Sequence, residues 1–340
     1  MIDLLVVGGG PVGLVTAIHA ARAGLEVSVI EARTDEIDKA CGEGLMPEAV
    51  RHLATLGIDP PGMDFHGIRY ISGNRKAEAL FSHGSGRGVR RTTLHGSLHE
   101  LARQEKIEFI NGKVETIVNE KFWVDAGGIR SRYLIGADGL HSTVRSQLKL
   151  GKSSKSTSSA RFGLRQHFHI APWTDLVEVY WAKNAEIYVT PTNSQTVGIA
   201  VLGKTGLNFN EIISRIPALT QLLGRAESAS KLRGAGPLRQ RVRARSAGRV
   251  LLVGDAAGYV DALTGEGLQV GFAEAQAAVG AVLADDPSGY EAEWQRITRS
   301  YRWLTKGLLW ASSNRTVRPV IVPAAQALPG VFKRLVNTLN

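Results

Sequence analysis

The stretch IDLLVVGGGPVG, residues 2–13, decides the fold. It joins a short apolar run of strand length to a glycine-rich turn, and residues 14–23 then follow as a segment that is apolar nearly all round. A second short run, over residues 26–31, completes the order strand, glycine turn, helix and strand. A helix that is apolar on all sides, lying between short apolar strands, predicts a parallel sheet covered by helices.

The glycines of this turn have the spacing of a dinucleotide-binding fingerprint. Gly8 permits the tight turn, Gly10 lets backbone N–H groups approach a pyrophosphate, and Gly13 lets the helix pack closely on the strand. The helix N-terminus adds partial positive charge. At the tip of the second strand, the Glu31 carboxylate can accept hydrogen bonds from both ribose hydroxyls of an adenosine. We therefore expect an adenine dinucleotide at this turn.

Composition and cysteine content limit the class of protein. The chain has 340 residues, of which 44% are hydrophobic and 21% charged, as is ordinary for a globular protein. Its single cysteine, Cys41, cannot form an intramolecular disulfide, which favours a reducing, cytoplasmic location. The strand pattern begins at Ile2, so we expect no signal peptide. The longest apolar segment, residues 267–284, is interrupted by polar residues, so we expect no transmembrane helix.

The net charge of +10 raises nucleic acid, anionic membranes and acidic ligands as partners. No zinc-finger spacing or other nucleic-acid motif is present, so we expect no nucleic-acid partner. Apolar residues at helical spacing over residues 290–308, with basic residues among them, indicate a helix that either packs back on the nucleotide-binding domain or contacts an anionic membrane. The oligomeric state stays open. An extended basic segment is either a solvated strand face or an anion site for nicotinamide phosphates or a carrier-bound acyl group, and its residues are Arg239, Arg241, Arg243 and Arg245.

The middle of the chain departs from a plain dehydrogenase. A glycine-rich loop over residues 39–46 and short alternating segments replace the second similar unit that a dehydrogenase would have. After a serine-rich connection over residues 152–159, a separate antiparallel layer is predicted, with strands over 161–170, 176–181, 186–190 and 196–202. We therefore expect a nucleotide-binding domain over 1–70, 90–150 and 247–285, a substrate-domain sheet over 71–89 and 160–246, and a C-terminal helical segment over 286–340.

Two further motifs follow apolar strands, ADGLHSTVR at residues 137–145 and GDAAG at residues 254–258. Together with GGGPVG and Glu31 they resemble the FAD-dependent oxidoreductases built on the para-hydroxybenzoate hydroxylase plan. The match spans most of the chain in the right order. The resemblance implies an α/β fold in which a Rossmann-like FAD-binding domain of the GR2 type carries an inserted antiparallel-sheet substrate domain and C-terminal helices. It also implies FAD as cofactor and NAD(P)H as transient electron donor.

The residue types of the GDAAG motif also fit FAD binding on chemical grounds. A strand that ends at Asp255 brings a carboxylate to the hydroxyl-bearing ribitol of FAD. The helix that begins around residues 265–267 directs its N-terminus at the same place, where it would stabilise the negative charge of reduced flavin. The cofactor-binding residues expected from these motifs are Gly8, Gly10, Pro11, Gly13, Glu31, Ala32, Arg33, Cys41, Gly42, Arg91, Asp138, Gly254, Asp255, Gly265, Gly267 and Leu268.

Two loops point to one branch of that superfamily. DALTGEG, residues 261–267, resembles the DPLTGEG loop of the geranylgeranyl reductase-like family, with Ala262 in place of the proline, and CGEGL, residues 41–45, is also similar. The Tyr-x-Trp-x-Phe-Pro signature of isoprenoid reductases has its nearest match in EIYVTP, residues 186–191, where Tyr188 replaces the tryptophan. These features imply a small-molecule substrate that is bulky and largely apolar.

Candidate catalytic residues are Cys41, Glu43 and Tyr188. Cys41 is either a thiol beside the flavin or a small buried side chain. Glu43 is either a proton donor or a loop carboxylate bonded to backbone N–H groups. Trp181, Tyr188 and His167 either contact the substrate or belong to ordinary sheet packing. No metal site is expected.

Three activities agree with these features. The first is an NAD(P)H-dependent reductase that acts on a carbon–carbon double bond. The second is a monooxygenase that hydroxylates or epoxidises an aromatic, polyketide-like or isoprenoid compound. The third is an electron-transfer flavoprotein. Because the flavin itself performs most of the chemistry, few residues of the chain can distinguish among them.

Overall fold

A computed structural model describes residues 1–34, 37–152 and 160–338. Apart from Lys152, the serine-rich connection lies outside the described residues. The strands run in chain order as β1 (Ile2–Val7), β2 (Val27–Glu31), β3 (Gly44–Leu45), β4 (Met63–Phe65), β5 (Gly67–Ser72), β6 (Arg75–Leu80), β7 (Gly86–Gly88), β8 (Glu108–Asn111), β9 (Ile117–Asn119), β10 (Val124–Ala126), β11 (Ile129–Gly136), β12 (Arg161–His169), β13 (Val177–Trp181), β14 (Ala185–Asn193), β15 (Thr196–Lys204), β16 (Arg233–Ala235), β17 (Ser246–Ala247) and β18 (Val250–Leu252).

The helices are α1 (Pro11–Arg22), α2 (Pro47–Thr55), α3 (Arg91–Gln104), α4 (Thr143–Gln147), α5 (Phe209–Ser214), α6 (Pro217–Leu223), α7 (Gly267–Leu283), α8 (Tyr290–Ser313), α9 (Ile321–Ala327) and α10 (Pro329–Asn337). None of those described combines the length and the apolarity that crossing a bilayer requires.

The nucleotide-binding sheet is built around β1. Its strand order is β17-β18-β11-β1-β2-β8, and β1 pairs in parallel with both β11 and β2. Its central strand is largely apolar, and Leu4, Leu5 and Val6 are fully buried. Helix α1 packs on α7, with Leu14 and Phe272 in the same core. The carboxyl ends of β1, β11 and β18 therefore lie at one edge, where parallel sheets bind ligands.

The inserted sheet has the order β16-β12-β15-β14-β13-β5-β6 among the described residues. The four strands predicted within residues 160–202 are all present as β12 to β15. Three details differ from the expectation. The sheet begins at Gly67 rather than at residue 71, and β13 pairs with β5 in parallel, so the layer is mixed rather than antiparallel. Residues 86–88 belong to a separate small sheet, β3-β7-β4. The pairing of β5 with β13 joins segments more than a hundred residues apart, which local patterning cannot reveal.

A buried ion network ties the layers together. Arg161 of β12 donates to Asp261 at 2.9 Å and to Glu186 of β14 at 2.6 Å. Glu186 also pairs with Arg318, which lies between α8 and α9 and donates to the carbonyls of Ala182 and Ala185. Since every charge here is paired and hydrogen-bonded, burial is tolerated, and the network fixes the C-terminal helices against the inserted sheet.

Candidate FAD and substrate site

The glycine turn after β1 is shaped by close contacts. Gly8 has a φ of +109°, a left-handed value that favours glycine. A Cβ at Gly13 would lie 1.9 Å from the Gly8 carbonyl oxygen, so only glycine fits there. At Gly10, by contrast, a Cβ would meet nothing within 4 Å, so its backbone faces open space. The turn is therefore closely packed at Gly13 and accessible at Gly10. Its backbone N–H groups can thus approach a pyrophosphate.

Glu31 lies at the end of β2, where its carboxylate accepts the Gly9 N–H at 2.9 Å and pairs with Arg33 at 3.0 Å. Burial opposes ionisation, yet these two partners together hold the pKa of Glu31 below its usual value. The group is therefore an ionised acceptor at the tip of the strand. Its placement fits the ribose hydroxyls of an adenosine.

Asp255 follows β18 and lies at the same edge of the sheet. Burial raises the pKa of its carboxyl, and the nearby cations of Lys39, Arg91 and Arg145 oppose that rise. No described residue donates a hydrogen bond to this carboxylate. It is therefore a free acceptor facing a cavity, and a ribitol hydroxyl is a fitting donor.

Other buried polar atoms at this edge also lack a partner among the described residues. Asp138 accepts the N–H groups of Thr143 and Val144 with Oδ2, at 2.7 and 3.1 Å, but its Oδ1 has no partner. The Nε of Arg91 is likewise unpaired. Buried polar groups are normally satisfied, so these atoms mark a site for a polar ligand. The residues present fit the hydroxyl and phosphate groups of FAD.

A cavity of about 910 Å³ begins at this edge. Gly8, Gly13, Glu31 and Ala32 lie outside its wall, the first two beneath the turn. Of the residues predicted to bind the cofactor, those on the wall are Gly10, Pro11, Arg33, Cys41, Gly42, Arg91, Asp138, Gly254, Asp255, Gly265, Gly267 and Leu268.

The rest of the cavity is apolar and runs between the inserted sheet and the C-terminal helices. The sheet contributes Tyr70, Val177 and Val179, which lie on β5 and β13. The C-terminal helices contribute Leu304, Leu308, Ile321, Ala324, Leu328 and Phe332. One cavity thus has a polar end at the dinucleotide turn and an apolar arm suited to a bulky hydrophobic molecule.

Tyr188 and Cys41 both line this cavity. The Tyr188 hydroxyl donates to the Leu263 carbonyl at 2.6 Å, and burial raises its pKa well above the usual value. Its proton is therefore engaged in a hydrogen bond that connects β14 to the DALTGEG loop. The Cys41 thiol is half-buried.

Glu43 also lines the cavity, in a left-handed conformation with a φ of 60°. Its Oε1 accepts the Arg91 N–H at 2.8 Å, and its Oε2 is bonded to His167 Nε2. His167 Nδ1 lies 3.2 Å from a guanidinium nitrogen of Arg165, which can only donate. The His167 proton is therefore on Nε2 and points at Glu43, so His167 orients this carboxylate.

Two of the predicted substrate residues do not lie on the cavity wall. His167 is fully buried behind Glu43. Trp181 packs edge-on against Tyr70, with 5.2 Å between ring centroids. Trp181 shares a strand face with Val177 and Val179, which do line the cavity. Tyr70 and the Arg318 guanidinium pack against its ring and separate it from the cavity.

Sequence reasoning missed Glu266, the residue before α7. Its side chain lines the cavity but is only 3% exposed, and burial raises its pKa well above the usual value. No described group donates to it or pairs with it. Burial therefore favours the protonated form of this carboxyl, which is the form that a proton donor needs. The sequence shows that Glu266 lies in the TGEG loop, but it does not show that this residue lines the cavity.

The arginines of the basic segment, residues 239–245, have two kinds of environment in the structure. Arg239, Arg241 and Arg243 are exposed, and Arg239 and Arg241 border a second cavity of about 310 Å³. Arg245 also borders that cavity, but it is half-buried, pairs with Glu291 at 2.8 Å and lies over the Trp294 ring. The stretch forms isolated bridges rather than a continuous strand, with Val242 buried between the exposed Arg241 and Arg243.

Glu274 of α7 supports the GDAAG turn from below, since it accepts the Gly254 N–H at 2.6 Å. Burial raises its pKa from 4.5 to about 8. The folded state therefore binds more protons than the unfolded state between these values, and the free energy of unfolding falls as pH rises through that window.

We expect Glu274→Gln to flatten this fall in thermal melts from pH 5 to 8. The exposed Glu120→Gln is the matched control, and equal slopes for all three proteins would contradict the assignment.

The comparisons with known proteins agree with this geometry. The family model for the FAD binding domain matches residues 1–64 and 112–285. The menaquinone reductase of Mycolicibacterium smegmatis is 25% identical over 88% of this chain and 80% of its own length. The chloroplastic geranylgeranyl diphosphate reductase of Oryza sativa subsp. japonica is 26% identical over 90% of this chain and 71% of its own length.

Among solved structures, a flavoprotein/dehydrogenase from Cytophaga hutchinsonii superposes with a TM-score of 0.79 at 16% identity, covering 99% of this chain and 97% of that one. This likeness confirms the α/β fold with its inserted sheet and C-terminal helices. The family match, the dinucleotide turn and the free acceptors at the sheet edge agree with one another. The chain therefore belongs to the FAD binding domain family and is an FAD-dependent oxidoreductase.

Proposed function

We propose that the protein is a reductase that uses NAD(P)H to saturate a carbon–carbon double bond in the prenyl chain of a lipid. The observation that carries this proposal is the apolar arm of the cavity, which is continuous with the FAD-binding edge. A long hydrocarbon chain can lie in that arm with one of its double bonds beside the cofactor. The relatives support the proposal, because the molecules in their names, menaquinone and geranylgeranyl diphosphate, both carry prenyl chains.

The chain's own residues have separate tasks in this reaction. FAD, when bound, takes two electrons from NAD(P)H and supplies them as hydride. Asp255 would hold its ribitol and Glu31 its adenosine ribose, and the N-terminus of α7 would stabilise negative charge that develops on the bound cofactor. One alkene carbon gains the hydride and the other a proton, so NAD(P)H is oxidised and no oxygen is consumed.

We assign the proton to the Glu266 carboxyl. It is buried on the cavity wall and burial favours its protonated form, whereas Glu43 is engaged by the Arg91 N–H and by His167. The apolar surroundings of that acid favour its protonated form, so that its proton is available to the alkene carbon. In this scheme Glu43 and His167 fix the loop that carries Cys41, and Tyr188 fixes the opposite loop.

Anaerobic turnover tests the proposal. The holoprotein is incubated under strict anaerobiosis with NADPH or NADH and detergent-dispersed menaquinone, and separately with geranylgeranyl diphosphate. We expect a product that has gained two hydrogens in its prenyl chain and flavin that is reoxidised without oxygen. A saturated chain of the same length is the control and should leave the flavin reduced. Product that forms only in air and contains one added oxygen would overturn the proposal in favour of a monooxygenase.

A further inference from the structure

The C-terminal helices expose apolar side chains that no contact within the protein explains. On α8, Trp303 is 72% exposed and Trp310 is 64% exposed, and their spacing of seven residues places them on one helix face. Helix α10 buries Phe332 against β6, yet its outer side presents Val331 and Leu335, which are also exposed. Apolar side chains grouped in this way on a surface mark a site of interaction.

The same segment carries a large share of the positive charge. Residues 295–340 contain eight lysines and arginines and no acidic residue. Arg299 lies one turn before Trp303 on the tryptophan face, and Lys306 lies one turn after it. On α10, Lys333 and Arg334 adjoin Val331 and Leu335. No ion pair involves these four cations within the described part of the chain, so their charge is available to an outside partner.

We propose that this surface, defined by Trp303, Trp310, Val331 and Leu335 with Arg299, Lys306, Lys333 and Arg334, docks the protein on an anionic phospholipid bilayer. Tryptophan side chains settle at the interface between headgroups and acyl chains, and lysine and arginine add attraction to anionic lipid headgroups. A second copy of the chain is a poor occupant, since a symmetric contact would bring two such basic surfaces together.

The exposed apolar surface lies at the opening of the cavity. Trp303, Leu328, Val331 and Leu335 are exposed and also line the cavity, so they form its mouth. A protein docked through them would open the apolar arm toward the acyl chains. A lipophilic substrate could then enter without crossing water. The proposed docking does not depend on the proposed reaction. It rests on the proposed function only for the identity of the substrate that enters the cavity.

Vesicle co-sedimentation tests the docking without any turnover, so its outcome is independent of the reaction. The holoprotein is mixed at low salt with vesicles of phosphatidylglycerol and phosphatidylcholine in equal amounts, and with vesicles of phosphatidylcholine alone. We expect binding to the anionic vesicles that is at least about tenfold tighter and weakens as salt is added. Absence of binding to the anionic vesicles at low salt would overturn the proposal, even if an acidic protein bound the same surface.

Three variants assign the binding to this surface. Trp303→Ala/Trp310→Ala should weaken binding by about tenfold or more. Lys333→Gln/Arg334→Gln should weaken it about fivefold for each cation removed and reduce its salt dependence. The control is Phe122→Ala, because Phe122 is 65% exposed beside Lys121 but lies between β9 and β10. Far-ultraviolet circular dichroism checks the fold. If the first two variants bind as the wild type does, or if Phe122→Ala loses as much, another surface is responsible.

Discussion

Replacement of Asp255 by alanine is expected to leave the protein folded but to remove most of its bound FAD. The carboxylate has no hydrogen-bond donor within the described chain, and it lies on the cavity wall beside Lys39 and Arg91. Hydrogen bonds to a charged group contribute about 1.5–3 kcal/mol each, so losing two ribitol hydroxyls raises the Kd for FAD by about a hundredfold or more. The flavin-to-protein absorbance ratio after purification measures the loss, and titration of the apoprotein with FAD gives the Kd.

A graded pair of variants separates charge from hydrogen bonding. Asp255→Asn keeps an acceptor oxygen, so it should retain more FAD than Asp255→Ala and less than the wild type. The control is Asp64→Ala, in which an exposed carboxylate that pairs with Arg87 is removed from the small sheet. It should keep full flavin content. Wild-type flavin content in Asp255→Ala would show that the GDAAG carboxylate does not hold the cofactor.

The dinucleotide end of the site could be predicted because its determinants are local. Gly10 and Asp255 are far apart in the chain, but each directly follows a parallel strand, and the carboxyl ends of such strands meet at one edge. A turn that needs glycine, followed by a helix, leaves a readable pattern. The sequence therefore placed both residues on what proved to be one cavity wall.

The substrate end could not be predicted in the same way. Trp181 and Tyr188 both have the character of pocket residues, and they lie on the same face of paired strands. Only Tyr188 reaches the cavity, because Tyr70 of β5 and Arg318 pack against the Trp181 ring. His167, a candidate either for substrate contact or for sheet packing, lies behind Glu43 and is bonded to its carboxylate. These contacts join distant segments, and no spacing within one segment encodes them.

Replacement of Glu266 by glutamine is expected to lower the kcat for prenyl-chain reduction by about a hundredfold to ten-thousandfold, the usual contribution of a positioned general acid. Glutamine preserves the volume and polarity of the side chain but has no acidic proton. FAD binding and flavin reduction by NAD(P)H should stay close to wild type, because neither step uses this proton. Stopped-flow absorbance in the absence of oxygen measures the two half-reactions separately.

The pH profile gives this assignment a second, independent readout. Burial raises the pKa of Glu266 well above its usual value, and the protonated form is the active one, so the wild-type kcat should fall as pH rises through that raised pKa. The titratable neighbours Tyr70 and Tyr301 have pKa values raised by burial, so they stay neutral across this range. The residual rate of Glu266→Gln should lack the fall. Glu43→Gln is the comparison: if it abolished turnover and the pH dependence while Glu266→Gln kept both, the proton would come from Glu43 and Glu266 would not be the donor.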